Sequence, residues 1–131
     1  MIFIDSNVPM YLVGADHPNK AVARKLLERA ITDGEPLVTD AEVLQEILHR
    51  YVAINRRDAI EAATVALLDV VDDVFPVERV DVDRARRIVL TTSLSARDAV
   101  HLAIARRRGI DRILTFDLAF DGLDGIHRYA G

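Results

Sequence analysis

Short apolar runs set between stretches of helical periodicity constrain this chain most. Ile2-Phe3-Ile4, Leu37-Val38, Val74-Phe75 and Ile113-Leu114 are each only two or three residues long. They are too short for amphipathic helices and long enough for brief buried strands. Strands that alternate with helices imply a parallel sheet covered by its crossover helices. The expected architecture is an α/β/α sandwich around a central, mainly parallel sheet of four to five short strands. A fifth strand is expected at Ile126 to Tyr129, and Arg112 to Thr115 frames the fourth. With 131 residues, half of them hydrophobic, the chain can bury a real core as one domain spanning residues 1–131. It carries no repeat, linker or low-complexity tract.

The helices announce themselves by spacing and by their ends. Val22, Leu26, Leu27, Ala30 and Ile31 recur helically between Lys20 and Thr32, where Asp33-Gly34 and Pro36 stop the pattern. Thr39-Asp40-Ala41-Glu42 has the form of a capping box, with Val43, Leu44, Ile47, Leu48 and Tyr51 making an apolar face behind it. A further helix is expected from about Arg57 to Asp72. Another spans residues 81 to 92, with Val82, Ala85, Ile88 and Val89 inward. Ser95-Ala96-Arg97-Asp98 repeats the capping-box form, and that helix ends on Arg106, Arg107, Arg108 and Gly109, a dipole-compatible C-terminus. A short helix capped by Ser6 or Asn7, with Pro9 in its first turn, follows the first strand.

Composition removes several function classes. The absence of Cys excludes disulfides, thiolate metal sites and a cysteine nucleophile. The opening MIFID reads as a strand and not as a secretory signal. No run approaches the roughly 18 to 20 apolar residues of a membrane span, so no membrane partner and a soluble, cytoplasmic protein are expected. The net charge of −4 gives no overall attraction for polyanions, and positive charge is nearly all Arg, with Lys20 and Lys25 the only lysines. A nucleic-acid ligand would need local Arg clusters or cations that screen the acids.

The chemistry is suggested by acids placed at strand ends. Ligands of open parallel sheets sit beyond the carboxyl ends of the strands. Asp5 ends the first strand, and Asp117 follows ILTF of the fourth. Helices that follow strands start on that same edge, which brings Asp98, and Glu42 with Glu46 four residues later, within reach of it. Carboxylates crowded in this way raise one another's pKa unless a cation compensates. An all-oxygen donor set with no Cys and no clear His pair suits Mg²⁺ or Mn²⁺ better than zinc. Bound divalent metal next to a phosphodiester is hydrolytic chemistry.

FIDSN, LQEIL, ARDAVHLAIA and ILTFDLAFDGLDGI, in this order, resemble the signature segments of PIN-domain ribonucleases, and most nearly the VapC-type toxins of bacterial toxin–antitoxin pairs. The resemblance implies an endoribonuclease whose acidic tetrad is Asp5, Glu46, Asp98 and Asp117, with Asp121 as a further metal ligand. It also implies Mg²⁺ or Mn²⁺ dependence, an RNA substrate, a homodimer, and inhibition by a cognate antitoxin protein; in-line attack of a metal-activated water would leave products with a 5′-phosphate and a 3′-hydroxyl.

Each residue also has a bland explanation. Asp5 and Asp98 can cap helices; Glu42 completes a capping box, whereas Glu46 has no such duty and is preferred as the ligand. Asp121 and Asp124 precede glycines as turn residues do. Asn7 and Thr115 are candidates to orient a carboxylate. His101, three residues after Asp98 among apolar neighbours, reads first as a packed, hydrogen-bonded core histidine. A haloacid dehalogenase-like phosphatase also begins with a strand ending in Asp, but it needs a second Asp where Asn7 stands and a downstream Lys, as a phospho-acceptor receiver also does. A catalytically inactive PIN-fold binding protein is the remaining alternative; unpaired buried carboxylates would only destabilise it.

Overall fold

A computed structural model describes residues 1–131. Five strands form one sheet: β1 (Ile2–Ile4), β2 (Leu37–Asp40), β3 (Asp73–Phe75), β4 (Arg112–Leu114) and β5 (His127–Arg128). Their order is β3-β2-β1-β4-β5 and every pairing is parallel. Six helices flank the sheet: α1 (Asn7–Val13), α2 (Pro18–Thr32), α3 (Ala41–Ala53), α4 (Ile60–Leu68), α5 (Arg79–Thr91) and α6 (Ala96–Arg107). This is the α/β/α sandwich that the strand–helix alternation implies.

β1 lies at the centre because it is wholly apolar and buried on both faces, as a strand between two parallel neighbours must be. Ile2 pairs with Leu37 on one side and with Arg112 on the other. That register aligns the C-terminal ends of β1 and β4, so Asp5 emerges beside Thr115. One cluster of 28 buried apolar residues forms the core. α6 is its most enclosed helix, with Ala99 and Leu102 to Ala105 all buried. No single helix is long and apolar enough to cross a membrane.

Several boundaries differ from the sequence expectation, each for a local reason. α3 is capped by Asp40, whose Oδ1 accepts from the Val43 amide at 2.8 Å. Thr39, expected as the cap, donates its hydroxyl across the sheet to the Ile4 carbonyl instead. α2 starts at Pro18 because His17 Nδ1 accepts from the Asn19 amide. α5 starts at Arg79 through a reciprocal capping box between Glu78 and Asp81. The helix expected from Arg57 to Asp72 is a 3₁₀ turn, Arg57–Ala59, followed by an α-helix that ends at Leu68. Thr115 falls outside its strand. Val22, Ile31, Leu48, Val82 and Val89, expected inward, are exposed.

An ion pair ties the start of α5 to α6. Asp81 is fully buried and takes a two-pronged bond from Arg107 of α6, at 2.7 and 2.8 Å. Its carboxylate also accepts from the Glu78 amide. Asp81→Ala removes that cap and leaves the guanidinium only Glu78, 3.3 Å away; because Arg107 is also partly exposed, the expected loss is about 2–3 kcal/mol of unfolding free energy by urea denaturation.

A buried carboxylate cluster at the strand tips

Five side chains from three remote regions meet past the carboxyl ends of β1, β2 and β4. Asp5 leaves β1 and Asp40 leaves β2. Glu46 lies in the second turn of α3, and Asp98 and His101 in the first turns of α6. Ligand atoms of Asp5, Glu46, Asp98 and His101 all lie within 4.8 Å of one another. Asp5, Asp98 and His101 are buried, and Glu46 is half-buried.

Neighbouring hydroxyls and amides fix each acid in place. Thr115 Oγ1 donates to Asp5 Oδ2 at 2.7 Å, and the Ser6 amide donates to Asp5 Oδ1 at 2.7 Å. Asn7 Nδ2 donates to Thr115 Oγ1 at 3.1 Å and lies 3.5 Å from Asp5 Oδ2. Asn7 Oδ1 in turn accepts from the Phe116 amide, which ties α1 to the segment carrying Asp117. Ser6 stands at the N-cap of α1 but makes no cap bond; its hydroxyl donates to Glu46 Oε2 at 2.8 Å. Ser95 Oγ accepts from the Asp98 amide, so α6 is capped without the Asp98 carboxylate, which is left for the cluster.

His101 joins two of the acids. Its Nδ1 lies 2.7 Å from Asp40 Oδ2 and its Nε2 bonds to Glu46 Oε1. With a carboxylate on each ring nitrogen, both nitrogens act as donors and the ring is an imidazolium. Burial alone would lower its pKa, but the bonds and charges of Asp40, Glu46 and Asp5 outweigh burial and hold it well above the usual histidine range. His101 is thus the packed, bonded histidine expected from its neighbours, and it also stands inside the acid cluster. Asp40, absent from the sequence expectation, does double duty: one oxygen caps α3 and the other orients His101.

The carboxylates feel the crowding unequally. Burial pushes Asp5 up, against the charge of His101 and the bond from Thr115. Asp98 rises to about 7, first from burial and then from Asp5 and Asp117 beside it. Burial would raise Glu46 as well, but the His101 bond and charge and the Ser6 hydroxyl bring it below the ordinary value. Three carboxylates around one space, with Asp5 and Asp98 both pushed up by burial, fit a hard divalent cation, because such an ion supplies the missing positive charge. The imidazole Nε2, already committed to Glu46, is a counter-charge here and not a free ligand.

The remaining expected residues divide. Asp117 faces Asp98 closely enough to raise it, while its Oδ1 accepts from the Ala119 amide. Asp121 is turned away, in a two-pronged bond with Arg128 at 2.7 and 3.2 Å, and its pKa is lowered by that partner. Glu42 lies at the rim, 3.5 Å from Arg97. The Arg triplet ends α6 structurally: Arg106 donates to the Asp124 carbonyl, Arg107 bonds Asp81, and Arg108 lies over the Phe75 ring.

The PIN domain family model matches residues 2–126, and the chain belongs to the PIN-domain family. It is similar to Ribonuclease VapC13 of Mycobacterium tuberculosis, at 57% identity over 99% of this chain and 100% of that protein. The crystal structure of Mycobacterium tuberculosis VapC20, a sarcin–ricin loop cleaving toxin, superposes with a TM-score of 0.72 at 24% identity, covering 96% of this chain and 97% of that one. A toxin–antitoxin complex from Klebsiella pneumoniae gives a TM-score of 0.69 at 16% identity, over 97% of this chain and 96% of that one; both are likenesses of fold.

Proposed function

We infer that this protein is an endoribonuclease of the VapC type, the toxin of a toxin–antitoxin pair, and that it works with Mg²⁺ or Mn²⁺. The observation that carries the reading is the convergence of Asp5, Glu46 and Asp98, buried and pre-oriented, in a chain 57% identical to a VapC ribonuclease. Asp5, Glu46, Asp98 and Asp117 would hold the cation. When bound, it supplies Lewis acidity, which lowers the pKa of water and offsets phosphate charge. Asp121, held by Arg128, has no part in this set.

The chain's own groups do the positioning. Thr115 and the Ser6 amide hold Asp5, and Ser6 with His101 holds Glu46, so neither carboxylate rotates freely as ligands arrive. Such fixed orientation reduces the reorganisation that a site must undergo during reaction. The phosphatase alternative loses its general acid, because Asn7 is spent bridging Thr115 and the Phe116 amide.

An antitoxin partner, a homodimer and a cytoplasmic place of action belong to the same reading. Leu48 and Val52 on α3, with Val65 and Leu68 on α4, are exposed and offer apolar surface for protein contacts. The direct test is incubation of the purified protein with total RNA, with Mn²⁺ and with excess EDTA, followed by end-mapping. Discrete fragments with 5′-phosphate and 3′-hydroxyl ends are expected with Mn²⁺ only. Equal cutting in EDTA would remove the metal from the mechanism.

A further inference from the structure

The acid cluster chooses a phosphodiester, which is the same at every nucleotide, so any choice among RNA sites must come from contacts beside it. One neighbouring feature has the required chemistry. An open cleft of about 470 Å³ lies where α1, the 14–17 loop and the C-terminal end of α3 meet, lined in part by Asn7, Tyr11, His17, Arg50 and Tyr51. Asn7 belongs to both places, since it also bonds Thr115 and approaches Asp5. The cleft therefore shares a wall with the carboxylates.

Two rings line the cleft and a third, Phe116, abuts them from behind. His17 and Tyr11 have centroids 4.9 Å apart, and Tyr11 meets Phe116 edge-on at 5.1 Å. Phe116 directly precedes Asp117. Asn7 and Tyr11 are four residues apart on α1, one above the other. Arg50 is likewise four residues after Glu46 on α3; it is exposed and pairs with no carboxylate. The outer ring, His17, is exposed as well. Aromatic rings beside a free guanidinium are what single-stranded RNA uses: bases stack on the rings, and the cation meets the backbone.

We propose that this cleft holds the nucleobase flanking the scissile phosphodiester of single-stranded RNA, stacked on the His17–Tyr11 rings, with Arg50 on its phosphate. This rests on the ribonuclease reading. The site accounts for a half-exposed tyrosine and an exposed histidine next to an acid cluster, and it makes Tyr11 and His17 determinants of which RNA site is cut.

The test uses Tyr11→Leu, Tyr11→Phe, His17→Asn and Arg50→Gln in the full chain. Asn retains a side-chain acceptor for the Asn19 amide, so His17→Asn keeps the α2 cap while removing the ring. A single-stranded oligonucleotide spanning a site mapped in the total-RNA digest serves as substrate, with melting temperatures as the check on folding. Stacking on one aromatic changes affinity by about 5- to 150-fold; KM is expected to rise about tenfold in Tyr11→Leu and His17→Asn, with kcat within about twofold. Tyr11→Phe should keep the parental KM, and base preference next to the cut should relax only where a ring is lost. With 2-aminopurine at that position and Asp98→Asn as the non-cleaving background, binding should quench fluorescence, and Tyr11→Leu should abolish the quench. Folded variants that cut the same sites with the parental KM would overturn the base site and leave the nuclease reading standing. A parent that cuts no RNA with Mg²⁺ or Mn²⁺ would overturn both.

Discussion

Asp98→Asn is expected to yield a folded protein that no longer cuts RNA. The substitution keeps the side-chain volume, and the Ser95 hydroxyl still accepts from the residue-98 amide, so α6 keeps its cap. What disappears is negative charge at the proposed cation site. Losing a group that merely orients a metal ligand costs about 10- to 100-fold in metal affinity or activity, and losing the ligand itself should exceed that. In the absence of metal the variant should be at least as stable as the parent, because the amide removes a buried carboxylate that Asp5 and Asp117 repel. Cleavage assays with Mn²⁺, alongside thermal melts in EDTA, separate the two effects. Full activity in a folded Asp98→Asn protein would exclude this cluster as the reaction centre.

The metal-free protein is expected to melt at a lower temperature at pH 8 than at pH 5. The sign follows from which state binds protons. Asp98, at about 7, and Asp5, also raised, keep protons in the fold that the unfolded chain releases near pH 4. The stability linked to those protons is present below the unfolded pKa and is lost as pH rises through the folded one. His101, raised well above its ordinary value, acts with the same sign and loses its share only at higher pH. Glu46, lowered, acts oppositely, but its share is lost only on acidification below its ordinary range. At about 1.4 kcal/mol per pKa unit, Asp98 alone contributes about 2–4 kcal/mol, which corresponds to a shift on the order of 7–15 °C for a domain of this size. Millimolar Mn²⁺ should raise the melting temperature more at pH 8 than at pH 5, since it replaces those protons. His101→Leu should be less stable still in EDTA, by about 3–5 kcal/mol of unfolding free energy, because Asp40 and Glu46 lose their shared counter-charge. A melting temperature that does not move between pH 5 and 8 in EDTA would mean the acids are not crowded as described.

What could be read from the sequence followed from local rules. The parallel sheet was legible because each short apolar run ends in a cap and is followed by helical spacing. The meeting of Asp5 with Asp98 was legible because strand tips and helix starts share one edge. Glu46 stood out by not fitting the apolar face on which it rides. The misses needed tertiary partners. Thr39 and Asp40 are both good caps, and only the Ile4 carbonyl, 35 residues away, decides that Thr39 turns to the sheet and Asp40 caps. His101 sits among Val100, Leu102 and Ala103, and nothing local reveals that Asp40 and Glu46 flank its ring. Asp121 read as a further ligand or a turn residue, and only the structure shows Arg128, on the edge strand β5, holding it. Val22, Val82 and Val89 obey helical spacing yet face outward, because periodicity marks a stripe without saying how wide the covered part is.

The strand order has a further consequence for how such a chain is made in a cell. β1 is the first strand to leave the ribosome, yet one of its two neighbours, β4, begins 110 residues later at Arg112. Asp5 likewise waits for Thr115 and for Asp98. A chain still being translated therefore carries its first acid long before the residues that complete the centre exist. Under the proposed ribonuclease function, no cleavage is expected until nearly the whole polypeptide has emerged.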